Sequence, residues 1–203
     1  RKYPILTVTS YIQWLMFQSI SRNKIKVIIS GNGSDEIFSG YYDHHLAYIS
    51  DLYNQKDLRN LTISNWKNKI KPLIRNPLMK DYKNYKKNKN YLKIVKGSNS
   101  SSEFGLKKFN LEFKEKKISK YYLKNRMINE LRNETVPIIL KEDDLNSMYY
   151  SIENRSPYLD TNLFQSCLDM PSEYYIKNSM AKWPLRQIVK NLVPDKIRLN
   201  KRK

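Results

Sequence analysis

The segment Lys26-Val27-Ile28-Ile29-Ser30-Gly31-Asn32-Gly33-Ser34-Asp35-Glu36 is the part of this chain that most limits how it can fold. A short β-branched run bounded by glycine reads as a buried strand. The Gly31-Asn32-Gly33 turn follows, and Asp35 and Glu36 then open a helical stretch that includes Ile37, Phe38, Tyr41, Leu46 and Ile49. Two glycines let a backbone turn tightly and come close to a ligand. The amides of such a loop and of the helix start attract anions, phosphates above all. In open α/β sheets, ligands bind just past the carboxyl end of a strand, which is where this loop sits. Asp35 is a carboxylate that can hold Mg2+ against a polyphosphate, because this cation takes carboxylate and phosphate oxygens together. The plainer alternative is a tight turn followed by acids that compensate the helix dipole.

Around this unit the pattern is mostly helical. Ile12, Leu15, Met16, Ser19 and Ile20 fall at helical spacing over residues 10–23, so that face is expected to be buried, and Asn23 closes the helix. Leu123, Met127, Ile128 and Leu131 predict a further helix from Lys120, stopped near Pro137. Leu163, Phe164, Cys167 and Leu168 share a helix face, with Asp160 or Thr161 as N-cap and Pro171 just past the end. A last helix carries Leu185, Ile188, Val189 and Leu192, and Pro184 fits its first turn. Residues 51–118 do not yield clear boundaries. Lysine, asparagine and tyrosine interleave from Lys80 to Lys96, and Gly97-Ser98-Asn99-Ser100-Ser101-Ser102 reads as a flexible loop.

Composition removes some classes of function and leaves one rival. With 38 basic and 19 acidic side chains among 203 residues, the formal charge of +19 invites a nucleic-acid-binding module. Tyr82, Tyr85 and Tyr91 among lysines could stack bases. The lysines are spread rather than striped, however, so the expectation is no nucleic-acid partner, with the tyrosines forming an edge against the domain. Cys167 is the single cysteine, on an apolar helix face, so it is read as core in a reducing, cytoplasmic setting. No run approaches the roughly eighteen apolar residues of a membrane span, so no membrane partner is expected. His44 and His45 are adjacent and lack a third ligand, which favours surface or hydrogen-bonding roles over a zinc site.

Three ordered blocks carry a resemblance. The segment from Lys26 through Tyr41 resembles the strand–loop–helix of the glutamine-hydrolysing, type B asparagine synthetase family. Glu142-Asp143-Asp144-Leu145-Asn146-Ser147-Met148, running into Glu153-Asn154-Arg155-Ser156-Pro157-Tyr158-Leu159-Asp160, is similar to a second family block. Ala181-Lys182-Trp183-Pro184-Leu185-Arg186, followed by Leu192-Val193-Pro194-Asp195-Lys196-Ile197, is similar to the family's lysine-bearing helix. The resemblance implies an α/β fold: the remnant of a parallel-sheet adenine-nucleotide alpha-hydrolase-like (PP-loop ATPase) domain, predominantly helical in this stretch. It implies ATP as substrate and Mg2+ as cofactor. Aspartate or a similar carboxylate would be activated as β-aspartyl-AMP, and ammonia from a glutaminase domain would displace AMP. A homodimer is compatible with it.

By the same resemblance, Ser30, Gly31 and Gly33 contact the nucleotide, and Asp35 helps hold Mg2+–pyrophosphate. Lys182 neutralises charge on the phosphates, as a mobile ammonium can. Glu36, Arg155 and Asp160 form a supporting wall, with a structural ion pair as the alternative role for Arg155 and Asp160. Asn32 departs from the pattern: it occupies the position of a family Glu that assists formation and ammonolysis of the acyl-adenylate. An amide can hydrogen-bond but cannot act as a base at neutral pH, which leaves another carboxylate substrate open, for instance in cell-surface polysaccharide or secondary metabolism. The family's Ser-Gly-Gly-x-Asp-Ser loop and the nucleophilic cysteine of its glutaminase do not occur in the 203 residues. The expectation is therefore an incomplete C-terminal synthetase domain that does not turn over alone. Within it, residues 1–50 form the nucleotide-binding strand–loop–helix, 51–118 a variable region, and 119–203 a helical region.

Overall fold

The structure, a computed structural model, describes residues 7–83, 85 and 115–201. In chain order the elements are α1 Val8–Arg22, β1 Val27–Ile29, α2 Ser34–Phe38, α3 Tyr42–Asp51, α4 Lys56–Lys69, α5 Tyr122–Arg132, α6 Thr135–Tyr149, β2 Glu153–Arg155, α7 Thr161–Asp169, α8 Trp183–Ile188 and α9 Asp195–Arg198. Short 3-10 turns fill several connections, among them Leu52–Asn54 and Pro157–Leu159. Mostly helical structure around a small parallel sheet is compatible with the expected α/β class. The chain divides into two compact units, Arg1–Ile37 with Glu130–Met170, and Phe38–Asn129 with Pro171–Lys203.

The first unit holds the sheet. β1 and β2 pair in parallel, with Val27 opposite Glu153, Ile28 opposite Asn154 and Ile29 opposite Arg155. Parallel neighbours need a long crossover, here everything from residue 30 to residue 152. β2 has no sequence signal of its own, since Glu-Asn-Arg lacks both alternation and β-branched residues. The expected burial of β1 does not hold: Ile29 is 76% exposed and Val27 is also open. Pairing with β2 satisfies one backbone edge, but it does not cover the face on which these two side chains stand.

A second correction concerns α1. Thr7 caps its start, Oγ1 accepting from the Ser10 N–H at 3.2 Å, and Asn23 closes it as expected, its Nδ2 donating to the Ser19 carbonyl at 2.9 Å. Yet the aliphatic face lies outward, with Ile12 60% exposed and Leu15 and Met16 open as well. The buried side instead carries Ser10 and Phe17. Trp14 meets the rings of Tyr149 and Tyr150 at 6.0 and 5.5 Å, and Asn146 Nδ2 donates to the Ser10 carbonyl at 3.2 Å. Helical spacing reveals that a face could be buried, whereas the partner decides which face is, and here α6 offers aromatic rings and an amide. Pro137 does not stop α5, which ends at Arg132; it sits in the first turn of α6, where a missing N–H costs nothing. α7 follows expectation, Asp160 Oδ1 capping it by accepting from the Leu163 N–H at 2.9 Å. Cys167 is buried in α7, and burial pushes its thiol pKa up.

In the second unit, Leu46 and Ile49 of α3 pack with Ile63 and Trp66 of α4 and with Ile70 and Ile74 beyond it. Ile63, Trp66 and Ile70 recur at helical spacing, so one stripe of α4 and its continuation faces the core. Tyr82 and Tyr85 pack against this cluster, Tyr82 edge-on to Trp66 at 6.2 Å. Those two tyrosines stand at an edge against this core, as expected; Tyr91, residues 97–102 and most of the Lys80 to Lys96 stretch lie outside the described residues. His44 and His45 are both buried in α3, against the surface role considered for them. Asp51 caps α5 with both oxygens, accepting from the N–H of Tyr122 at 2.6 Å and of Leu123 at 3.0 Å. The expected last helix is shorter: α8 ends at Ile188, and Asn191 at φ 69° turns the chain, leaving Leu192 outside any helix.

Candidate functional site

Residue by residue, the loop after β1 is built from contacts within the first unit. The Ser30 N–H extends the parallel ladder by donating to the Arg155 carbonyl at 2.8 Å. Its Oγ lies 2.9 Å from Ser156 Oγ, joining the two strand ends through their side chains. The Ser34 N–H then returns to the Gly31 carbonyl at 3.3 Å, and the Ile37 N–H to the Gly33 carbonyl at 3.0 Å, which starts α2.

The two glycines have different reasons. Gly33 stands at φ 90°, and a Cβ there would lie 2.3 Å from Leu159 Cδ2, so both conformation and packing demand glycine. Gly31 has no unusual φ, and a Cβ would meet nothing within 4 Å. Open space above an exposed backbone is what a loop needs to admit a ligand.

Asn32 is half-buried and donates its Nδ2 to Asp143 Oδ2 at 2.5 Å. The same oxygen accepts from Asn154 Nδ2 at 3.2 Å. Asp143 is buried on α6, and Asn154 is the middle residue of β2. Burial pushes the Asp143 carboxyl above its ordinary pKa, while the N–H groups of Asn32 and Asn154 pull it back toward the charged form. Sequence reading gave no role to Asp143, Asn154, Ser156 or Leu159. The signal was an acidic pair, Glu142-Asp143, inside a helix whose neighbouring residues include buried Asn146 and Ser147.

The remaining expected residues divide between the units. Asp35 and Glu36 sit in the first turn of α2, Glu36 buried and Asp35 half-buried. Arg155 is exposed and pairs with Glu153 at 2.8 Å, not with Asp160, which caps α7. Exposure limits that pair to a small contribution. Lys182 belongs to the second unit. It precedes α8 at φ 55°, its N–H donating to the Phe38 carbonyl at 3.1 Å. A left-handed lysine is a strained backbone position, of the kind that persists where surrounding structure holds it.

The family model for asparagine synthase matches residues 2–203. The chain belongs to the asparagine synthase family. A comparison with curated proteins and another with solved structures returned no match. Membership assigns the chain to a ligase-type family whose general chemistry is ATP-dependent amide ligation. No helix among the described residues is long and apolar enough to cross a membrane.

Proposed function

We propose that this asparagine synthase-family chain serves ATP-dependent amide formation on a carboxylate, aspartate first. The observation that carries the reading is the Ser30–Gly33 loop at the carboxyl end of a parallel strand, with open space over Gly31. A β-carboxylate oxygen of aspartate bonds to the α-phosphorus of ATP, and the bond to pyrophosphate breaks. Ammonia, drawn from a glutaminase, then bonds to the activated carbonyl carbon; AMP leaves with its carboxyl oxygen, and the surplus proton passes to solvent.

In this reading the loop amides and Ser30 meet the nucleotide, and the Lys182 ammonium faces developing phosphate charge. Asp35 fits a hard cation, since a half-buried carboxylate beside a phosphate-binding loop offers the oxygen that Mg2+ prefers. Bound Mg2+ would neutralise the polyphosphate. The test is aspartate-dependent release of AMP and pyrophosphate by the intact protein. AMP released with another carboxylate, but not with aspartate, would support the second reading, which Asn32 in place of an ionisable residue favours. Release with neither would remove both.

A further inference from the structure

Lys182 follows two other left-handed residues, Asn178 at φ 52° and Ser179 at φ 63°. Those two form a tight turn, closed by the Met180 N–H on the Lys177 carbonyl at 2.8 Å and the Lys177 N–H on the Met180 carbonyl at 3.1 Å. Lys182, at φ 55°, lies outside that turn and is held by other groups. Its N–H donates to the Phe38 carbonyl, and its own carbonyl accepts from the Arg186 N–H at 3.0 Å. The carbonyl before it, that of Ala181, accepts from Arg186 Nε at 2.7 Å. Both peptide planes around the Lys182 Cα therefore have fixed partners, and two planes set φ, ψ and the direction in which Cβ leaves. The same guanidinium donates Nη1 to the Arg198 carbonyl and Nη2 to the Asn200 carbonyl at 2.9 Å. Arg198 reciprocates, its Nη1 donating to the Arg186 carbonyl at 3.2 Å while its Nε bonds Asp195 Oδ1 at 2.8 Å.

We infer that Arg186 is a positioning residue, which fixes the strained main chain of Lys182 and ties it to α9 and residues 199–200. A strained backbone persists only where its surroundings over-determine it, and here one planar fork reaches carbonyls on both sides of the junction. The inference rests on the proposed role of the Lys182 ammonium toward the phosphates. Arg186 acts through that lysine and need touch neither nucleotide nor carboxylate, because all three of its guanidinium nitrogens already donate to main-chain carbonyls. Loosening α9 should therefore reach the lysine through Arg186.

Arg186→Lys in the intact protein keeps a positive charge and loses the fork. The expected result is a fall of about 10- to 100-fold in kcat for carboxylate-dependent ATP–pyrophosphate exchange, the scale of a misplaced group, with KM for ATP nearly unchanged. In a Lys182→Met background the ammonium is already gone, so the same Arg186→Lys change should cost no further kcat, while both changes still act on Tm. An equal fold-loss in the two backgrounds would give Arg186 a role independent of Lys182 and overturn the inference. Full exchange activity in Arg186→Lys would do the same. Asp195→Ala loosens Arg198 without touching Arg186; it should lose less kcat in the same Lys182-dependent way, and it carries the test if Arg186→Lys does not fold. If wild type shows no exchange with any carboxylate, the proposed function fails. The positioning is then judged on the Lys182 Cα and Cβ NMR shifts, which report its left-handed main chain and should move toward ordinary values in Arg186→Lys. Lys182 shifts that ignore the substitution would overturn the positioning by themselves.

Discussion

Ser30 Oγ and Ser156 Oγ stand 2.9 Å apart, 126 residues from one another in sequence. The contact joins the carboxyl ends of the two parallel strands just where the candidate loop departs. Ser156→Ala removes one partner of a half-buried hydroxyl pair and should cost about 1 kcal/mol. It should also weaken ATP binding in the intact protein, because Ser30 loses the partner that orients it. Isothermal titration with ATP, beside urea unfolding, reads both effects; affinity unchanged at lowered stability would limit the pair to a structural role.

Gly33 and Gly31 should respond oppositely to alanine. At Gly33 the left-handed backbone alone costs about 1–2 kcal/mol, and contact with Leu159 adds overpacking of roughly 1–3 kcal/mol. Leu159→Ala in the Gly33→Ala background should recover the second part only. Gly31→Ala should leave stability within about 0.5 kcal/mol, as at an open surface position, yet reduce ATP affinity by filling the approach. Denaturant midpoints and ATP titration of the single and double variants test the assignment.

His45 ties stability to pH. Burial, and secondarily the charge of His44, lower its pKa from 6.5 to about 3. The folded chain keeps this imidazole neutral where the unfolded chain takes up a proton. Its contribution is therefore complete above pH 6.5 and is lost as pH falls toward 3, at about 1.4 kcal/mol per pH unit. Unfolding at pH 6.5 and 5 should show that slope in wild type and a shallower one in His45→Gln. The same slope in both would contradict it.

Lys182 should separate stability from activity. Lys182→Gly relieves the left-handed strain and should stabilise the second unit by about 1 kcal/mol. The same change should lower kcat for adenylate formation by about 100- to 1000-fold, the scale for losing one charge-stabilising group. Lys182→Arg should recover only part, since a guanidinium fork does not replace a compact ammonium. A more stable variant with full activity would remove Lys182 from the chemistry.

Arg186 clamps the end of the described chain. Nε donates to the Ala181 carbonyl at 2.7 Å, Nη1 to that of Arg198, and Nη2 to that of Asn200 at 2.9 Å. Burial, then the nearby charge of Arg198, lower its pKa. Lysine keeps the charge but cannot reach three carbonyls at fixed angles, so Arg186→Lys should cost about 2 kcal/mol. Hydrogen exchange should quicken in α9 and residues 199–200 first; uniform protection would argue against the clamp.

What the order of residues determined by itself was local. The β-branched run made β1, Gly33 made its turn, Asp160 capped α7, and Asn23 closed α1. Propensity and capping act within a few residues, so these were legible. So were the three family blocks, because each is a contiguous stretch. Which faces are buried was decided by tertiary structure: Ile12 and Ile29 have buriable patterns and stay exposed, whereas Phe17 is buried and Trp14 meets the ring of Tyr149 in α6. The polar strand Glu153–Arg155 exists because β1 supplies its hydrogen bonds. The hydrogen-bond partner of Asn32 is Asp143, 111 residues away. Burial and hydrogen bonding are pairwise, and a sequence read along its length shows one member of each pair at a time.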